Sequence, residues 1–188
     1  MSRISKGKSA KKSFFIITEG ESEERYFSLF RQFYRCSGVK IKKINPCSGQ
    51  IINKAKVHWQ REGVSSSKYS KRIVIIDRDS LSEVEFNNIR KKALDENIDI
   101  VFSNESFEVW LLAHFEDVTK GRISLTELKR RLTNYLGQEY KKGDIGQIKT
   151  ILRYYDRAIE NTKNVNEISY HEQCTNVSRL CSQVHNPV

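Results

Sequence analysis

Short apolar runs, each followed by a stretch with helical spacing, constrain this 188-residue chain more than any other feature. "SFFIIT" (13–18), "RIVIID" (72–77) and "IDIVFS" (98–103) are rich in aromatic and β-branched residues and read as buried strands. "VKIKKI" (39–44) alternates apolar and basic residues, as a half-exposed strand does. Between and after them lie helical patterns. "ESEERYFSLFRQFYR" (21–35) places Tyr26, Phe27, Phe30, Phe33 and Tyr34 at helical spacing, with Ser22 as N-cap. A weak helix is expected near 50–61, then one over 82–95 with Val84, Phe86, Ile89, Ala93 and Leu94, then "ESFEVWLLAHF" (105–115). "GVSSSKYSK" (63–71) has the composition of a linker. Strands that are apolar throughout, alternating with helices, predict an α/β fold: a mostly parallel sheet with helices on both faces. Beyond about 117 the strand signals stop. The segments 125–136, 144–163 and 171–184 read as a helical C-terminal extension.

The charge is unevenly distributed. The net charge is +10, but residues 1–13 carry five basic side chains and no acid, and residues 14–117 carry 16 of each sign. Residues 118–188 carry 12 basic and seven acidic side chains. A neutral centre with a basic tail (1–12) and a basic C-terminal region points to a polyanionic partner, most simply nucleic acid. No apolar run approaches 18 residues, so no transmembrane helix is expected. Four scattered cysteines fit a reducing cytoplasm better than a disulfide framework.

In open parallel sheets, ligands bind beyond the carboxyl ends of the strands. Two of the strongest strands here end in acids. The first runs into Glu19-Gly20, and the third into Asp77-Arg78-Asp79. Alternation along an extended backbone puts Asp77 and Asp79 on one side and Arg78 on the other. Carboxylates converging on one point repel each other unless a cation compensates, and Mg²⁺ (or Mn²⁺) is the natural one. Gly20 would let the chain turn and let a phosphate approach the backbone. The plainer alternative is a set of strand-end turn residues.

The pairing of a strand ending in Glu-Gly with a later strand ending in D-x-D resembles the Toprim domain of topoisomerases, primases and the OLD nucleases. More closely, "IITEGESEERYF", "RIVIIDRDS" and "SNESFEVWLLAHF" resemble the RloB family, as do "YKKGD", "RAIENTK" and "CTNVSRL" further on. The resemblance covers nearly the whole chain from about residue 13. It implies a Toprim-like, Rossmann-like domain over 13–117 followed by an extension over 118–188. It further implies a metal-dependent nuclease acting on DNA or tRNA in anti-phage defence, encoded near an RloA-like ABC-type ATPase.

Carried over by residue, the resemblance makes Glu19 a general acid/base or metal ligand and Asp77 and Asp79 metal ligands. Glu108 becomes a further ligand or an orienting residue. Ser22-Glu23 matches a Ser/Thr-Glu pair that is equally a helix cap, and His114 is either a site residue or a core histidine. Classical Toprim sites often carry an acid or glycine just after D-x-D, whereas Ser80-Leu81 follow here, so topoisomerase or primase activity is not implied.

Arg78, Lys141, Lys142 and the run Lys129-Arg130-Arg131 are candidates for phosphate contacts, with salt bridges or solvated faces as the alternative. His171, Cys174, Cys181 and His185 offer zinc-type ligands, but Cys174 and Cys181 are also spaced as core residues. The absence of a G-x-x-x-x-G-K-[ST] loop argues against the chain being a P-loop NTPase. The expected protein is thus a cytoplasmic, membrane-independent nuclease, and it could form a homo-oligomer. The competing expectation is a non-catalytic subunit that binds nucleic acid or the ATPase.

Overall fold

A computed structural model describes residues 12–45, 48–64, 67, 69–78 and 81–186. Residues 1–11, 46–47, 65–66, 68, 79–80 and 187–188 lie outside the described residues, so the basic tail before Lys12 and the second D-x-D carboxylate, Asp79, are not placed.

The elements alternate as expected. β1 (Ser13–Thr18), α1 (Glu21–Phe33), β2 (Val39–Lys43) and α2 (Ile51–Arg61) are followed by β3 (Ser70–Asp77), α3 (Glu83–Asp95), β4 (Asp99–Asn104) and α4 (Glu108–Ala113). The sheet order is β2-β1-β3-β4-β5, with the first four strands parallel. From β1 the chain first winds outward to β2, then returns across β1 to β3. The strand order therefore reverses between β1 and β3, and this switch point is where open α/β sheets bind ligands.

Side-chain alternation along the strands feeds two cores. Phe14, Ile16, Ile73, Ile75 and Val101 pack on one face with Tyr26, Phe27 and Phe30 of α1 and with α4. Ile17, Val74, Ile76 and Phe102 face the other way, against Ile51, Ile52, Ala55 and Trp59 of α2 and Phe86, Ile89 and Ala93 of α3. This is the expected α/β, Rossmann-like, mostly parallel sheet with helices on both faces. Val84 and Leu94, expected on the packing stripe of α3, are 70% and 81% exposed, because Phe86, Ile89 and Ala93 already fill the contact with β4. The α1 N-cap is Gly20 rather than Ser22, which lies inside the first turn and is buried.

The C-terminal region differs most from expectation. Strand formation does not stop at 117: β5 (Cys174–Thr175) pairs antiparallel with β4, bringing Ser103 opposite Thr175. Its two residues are too short to leave a periodic signal. The segment read as one helix over 144–163 is two, α6 (Ile145–Leu152) and α7 (Tyr155–Asn161), broken at Arg153-Tyr154. With α5 (Leu125–Leu136) and α8 (Val177–His185), these helices put Leu128, Leu132, Ile148, Ile151, Leu180 and Val184 into the same core as α1 and α4. Residues beyond 117 are thus packed against the sheet domain.

Candidate active site

The parallel register pairs Thr18 with Ile75 and Asp77 with Ser103. Glu19-Gly20, Asp77 and the β4–α4 junction therefore leave the sheet side by side at its carboxyl edge, beside the switch point. Two further acids join Asp77 there. Glu23 stands in the first turn of α1 and Glu108 opens α4; they are 4% and 0% exposed. Asp77 as a residue is half-buried, but its Oδ1 is sealed from solvent.

The three carboxylates sense one another. Burial pushes the Glu23 carboxyl up from its ordinary range, and Glu108 adds to the rise. Burial, then Glu23, then Glu108 push Asp77 well up. Two backbone donors oppose this. The backbone N–H of Glu23 itself, at the start of α1, draws the Glu23 pKa back down, and the backbone of Phe107, at the start of α4, does the same for Asp77. The neighbouring Asp77 side chain also draws the Glu23 pKa partly back down. The Lys142 charge draws both pKa values downward.

Gly20 is required by close approach rather than by backbone conformation, since its φ of −94° suits any residue. A Cβ on Gly20 would fall inside the Glu23 carboxyl group. Glycine at the strand–helix turn thus creates the space that the acid occupies.

The α5–α6 connection closes over this cluster. The Tyr140 phenol donates a 3.0 Å hydrogen bond to Glu108 Oε1 and lies against the Ser22 hydroxyl. Burial and the Glu108 charge push that phenol far above its ordinary range. Gly143, in the left-handed region at φ +74°, presents its carbonyl to Arg25 Nη1 at 2.6 Å. Arg25 is itself ion-paired to Glu21 of the same helix. Gln147 braces the other side, accepting from Lys141 N at 2.9 Å and donating to Glu139 O at 2.7 Å. The connection is tied at both ends, and Lys142 lies between the ties.

One oxygen of each acid, Glu23 Oε2, Asp77 Oδ1 and Glu108 Oε2, is buried without a hydrogen-bond partner. Sealed carboxylate oxygens at one edge, held by backbone donors and a nearby lysine, suit a hard divalent cation. Among the described residues, however, no three His, Cys, Asp or Glu side chains stand together as a ready-made cage. A cation with few protein ligands is the type that fits, because Mg²⁺ keeps waters and takes substrate oxygens.

The expected site residues are distributed as follows. Asp77 and Glu108 converge, with Glu19 half-buried at the end of β1 and engaged with neighbouring groups. Asp79 lies outside the described residues. Lys142 acts electrostatically on the acids, while Lys141 is exposed beside it. Arg78 turns away from the cluster. It pairs with Glu105 at 3.3 Å, and its guanidinium lies 4.5 Å from the Tyr170 ring centroid. Arg130 and Arg131 both bind Glu127, and Arg131 also binds Glu116; Lys129 is exposed on the same helix.

His114 is a core residue. It is fully buried, with Nδ1 at 2.9 Å from Trp110 O and Nε2 at 3.1 Å from the Tyr26 hydroxyl. The zinc-type residues separate. Cys174 packs in the second core and Cys181 in the first, on opposite faces of the sheet. His171 pairs with Glu83 at 3.0 Å, and the His185 ring packs near Tyr34 and Phe30. Cys36, Cys174 and Cys181 are free thiols.

Glu23 and Tyr140 are the site residues that sequence reasoning left out of the acid set. Glu23 had a usable signal: it follows Glu19 by four residues, one helical turn past the glycine. Tyr140 had none, because its role depends on a contact across 32 residues.

A family model described as RloB-like protein matches residues 14–186. No curated protein and no solved structure matches the chain. Among the described residues, no helix is long and apolar enough to cross a membrane.

Proposed function

The chain belongs to the RloB-like family, and from that membership together with its acid cluster we propose a Mg²⁺- or Mn²⁺-dependent nuclease that cleaves phosphodiester bonds in DNA or tRNA. The observation that carries this reading is the meeting of Glu23, Asp77 and Glu108 at the sheet's switch point, each with a sealed, unpartnered oxygen. One or two of those carboxylates, Asp77 first among them, would hold the cation, with water and substrate oxygens completing its shell. When bound, it supplies Lewis-acid polarisation of a phosphoryl oxygen and lowers the pKa of a water.

The chain's own groups supply the rest. Glu19, at the rim of the cluster, takes or returns the proton of the attacking water or leaving oxygen. Lys142, held above the acids by the Arg25–Gly143 tie, places a positive charge where a phosphate would sit. Tyr140 fixes the Glu108 carboxylate by donating to Oε1. The C-terminal excess of basic residues supplies long-range attraction for a polyanion.

The reading extends to a cytoplasmic effector of anti-phage defence acting with an ABC-type ATPase encoded nearby. The test incubates pure protein with end-labelled DNA and tRNA pools and Mg²⁺ or Mn²⁺, with and without that ATPase. Cleavage by wild type but not by Asp77→Asn supports the nuclease. Intact substrate in every condition would contradict it and leave a non-catalytic binding subunit.

A further inference from the structure

We propose that the C-terminal helices carry a stacking platform for unpaired nucleobases, built from Tyr135, Phe115 and Tyr154 and separate from the carboxylate cluster. The Tyr135 and Phe115 rings stack with centroids 5.0 Å apart and planes only 4° from parallel. Tyr154 adjoins Phe115 at 5.4 Å with its plane tilted by 51°, giving the platform a second, angled face. The guanidinium of Arg157 lies over the Tyr154 ring, 5.4 Å from its centroid, and brings a positive charge to the platform.

Phe115 is half-buried against the first core, and two exposed rings lie beside it. Tyr135 is 47% exposed and Tyr154 is 38% exposed, which is unusual for two large aromatics in contact with the same third ring. Tyr154 stands at the junction between α6 and α7. With Tyr154 as the cap, Tyr155 turns into the core at 5% exposure and Tyr154 turns out.

The surroundings favour nucleic acid over an apolar peptide. Lys129, Arg130, Arg153 and Arg157 are exposed on the same helices. Of the acids close by, Glu116 receives Arg131 at 2.7 Å and Tyr135 Oη at 2.8 Å, and Glu127 receives Arg130 and Arg131, while Asp117 and Asp156 are exposed and are outnumbered by these basic side chains. Exposed aromatic faces flanked by basic side chains are how proteins hold single strands, because every base has a π face and the backbone follows the positive charge.

Position supports the same occupant. Glu108 opens α4 and Phe115 follows its end, so the platform lies about 10 Å from the acids along that helix. A strand resting its bases on the rings would bring its own backbone toward the carboxylates within a short stretch. The proposal rests on the nucleic-acid reading above and narrows it: the substrate is unpaired at or beside the bond that is cut.

The test is a binding measurement in an Asp77→Asn background, so that cleavage plays no part. Fluorescence anisotropy compares a labelled single-stranded oligonucleotide with its duplex in Mg²⁺ buffer. The single strand should bind more tightly. Tyr135→Ala and Tyr154→Ala should each weaken it by roughly five- to a hundredfold while leaving duplex binding little changed. Tyr135→Phe, which keeps the ring and loses the Glu116 hydrogen bond, should bind like the parent. Circular dichroism confirms that the variants fold. Unchanged single-strand affinity in both alanine variants would overturn the proposal, as would equal affinity of the parent for duplex and single strand. Because binding alone is read, a chain that never cleaves could still pass this test, and a true nuclease could fail it.

Discussion

Tyr140 donates its phenolic proton to Glu108 Oε1 at 3.0 Å, and neither residue exposes more than 8% of its surface. One partner opens a helix of the sheet domain and the other leaves the last turn-bound loop before α6. The contact makes the carboxylate cluster depend on chain beyond 117. Tyr140→Phe would leave both oxygens of Glu108 without a partner. The expected outcome is a stability loss of about 1–3 kcal/mol in chemical denaturation and a cleavage rate lower by about 10–100-fold. A variant as stable and as active as wild type would show that the hydrogen bond does not matter.

The acids predict a stability trend of unusual sign. In Asp77 and Glu23 the folded-state pKa lies above the unfolded value, chiefly through burial. The folded state therefore binds protons more readily, and stability falls as pH rises from the ordinary carboxylate range through the raised pKa. Asp77→Asn removes that penalty. Without added metal, its melting temperature should exceed that of wild type at neutral pH, and the gap should close below about pH 4. Divalent cation should stabilise wild type and not the variant. An Asp77→Asn protein that is less stable at neutral pH would refute the burial argument.

Gly20→Ala isolates the close approach of Glu23. The new methyl group would collide with the Glu23 carboxyl, the far end of a flexible side chain. The fold should survive with little change in denaturation midpoint, while the acid is expelled from the cluster. Cleavage should fall on the order of a hundredfold, as for Glu23→Gln. Alanine at this position with full activity would mean that Glu23 is not needed where it lies.

His114 gives a separate acid limb. Burial lowers its pKa to about 4 from an ordinary 6.5, so it stays neutral in the fold. Unfolded chains bind that proton first, and stability is lost as pH falls from about 6.5 toward about 4, on the order of 3 kcal/mol in total. His114→Gln should be less stable than wild type near pH 7, and the difference should shrink across this window in urea titrations. A constant difference would place the titration elsewhere.

Much of this architecture was legible in the residues. Apolar strands such as 72–77 and the aromatic face of α1 carry strong periodic signals, and Glu19-Gly20 and Asp77 mark the carboxyl edge by local pattern alone. What escaped depends on tertiary contact. β5 is two residues long and forms because β4 offers Ser103 and Asn104 as partners. The α6–α7 break carries no glycine or proline and follows from packing Tyr155 inward. Glu23 looked like a helix-capping acid and is one, through its own N–H, but the same turn delivers it to Asp77. Arg78 looked like a phosphate ligand because it sits between two acids, yet Glu105 and Tyr170, distant in sequence, claim it.

The central claim is that the switch-point carboxylates bind a divalent cation. Electron paramagnetic resonance of Mn²⁺ titrated into the intact protein, with Mg²⁺ as competitor, tests it most directly. The account predicts saturable binding by wild type that Mg²⁺ displaces, weakened at least about tenfold in Asp77→Asn and Glu23→Gln. Equal Mn²⁺ binding in wild type and both variants would contradict it.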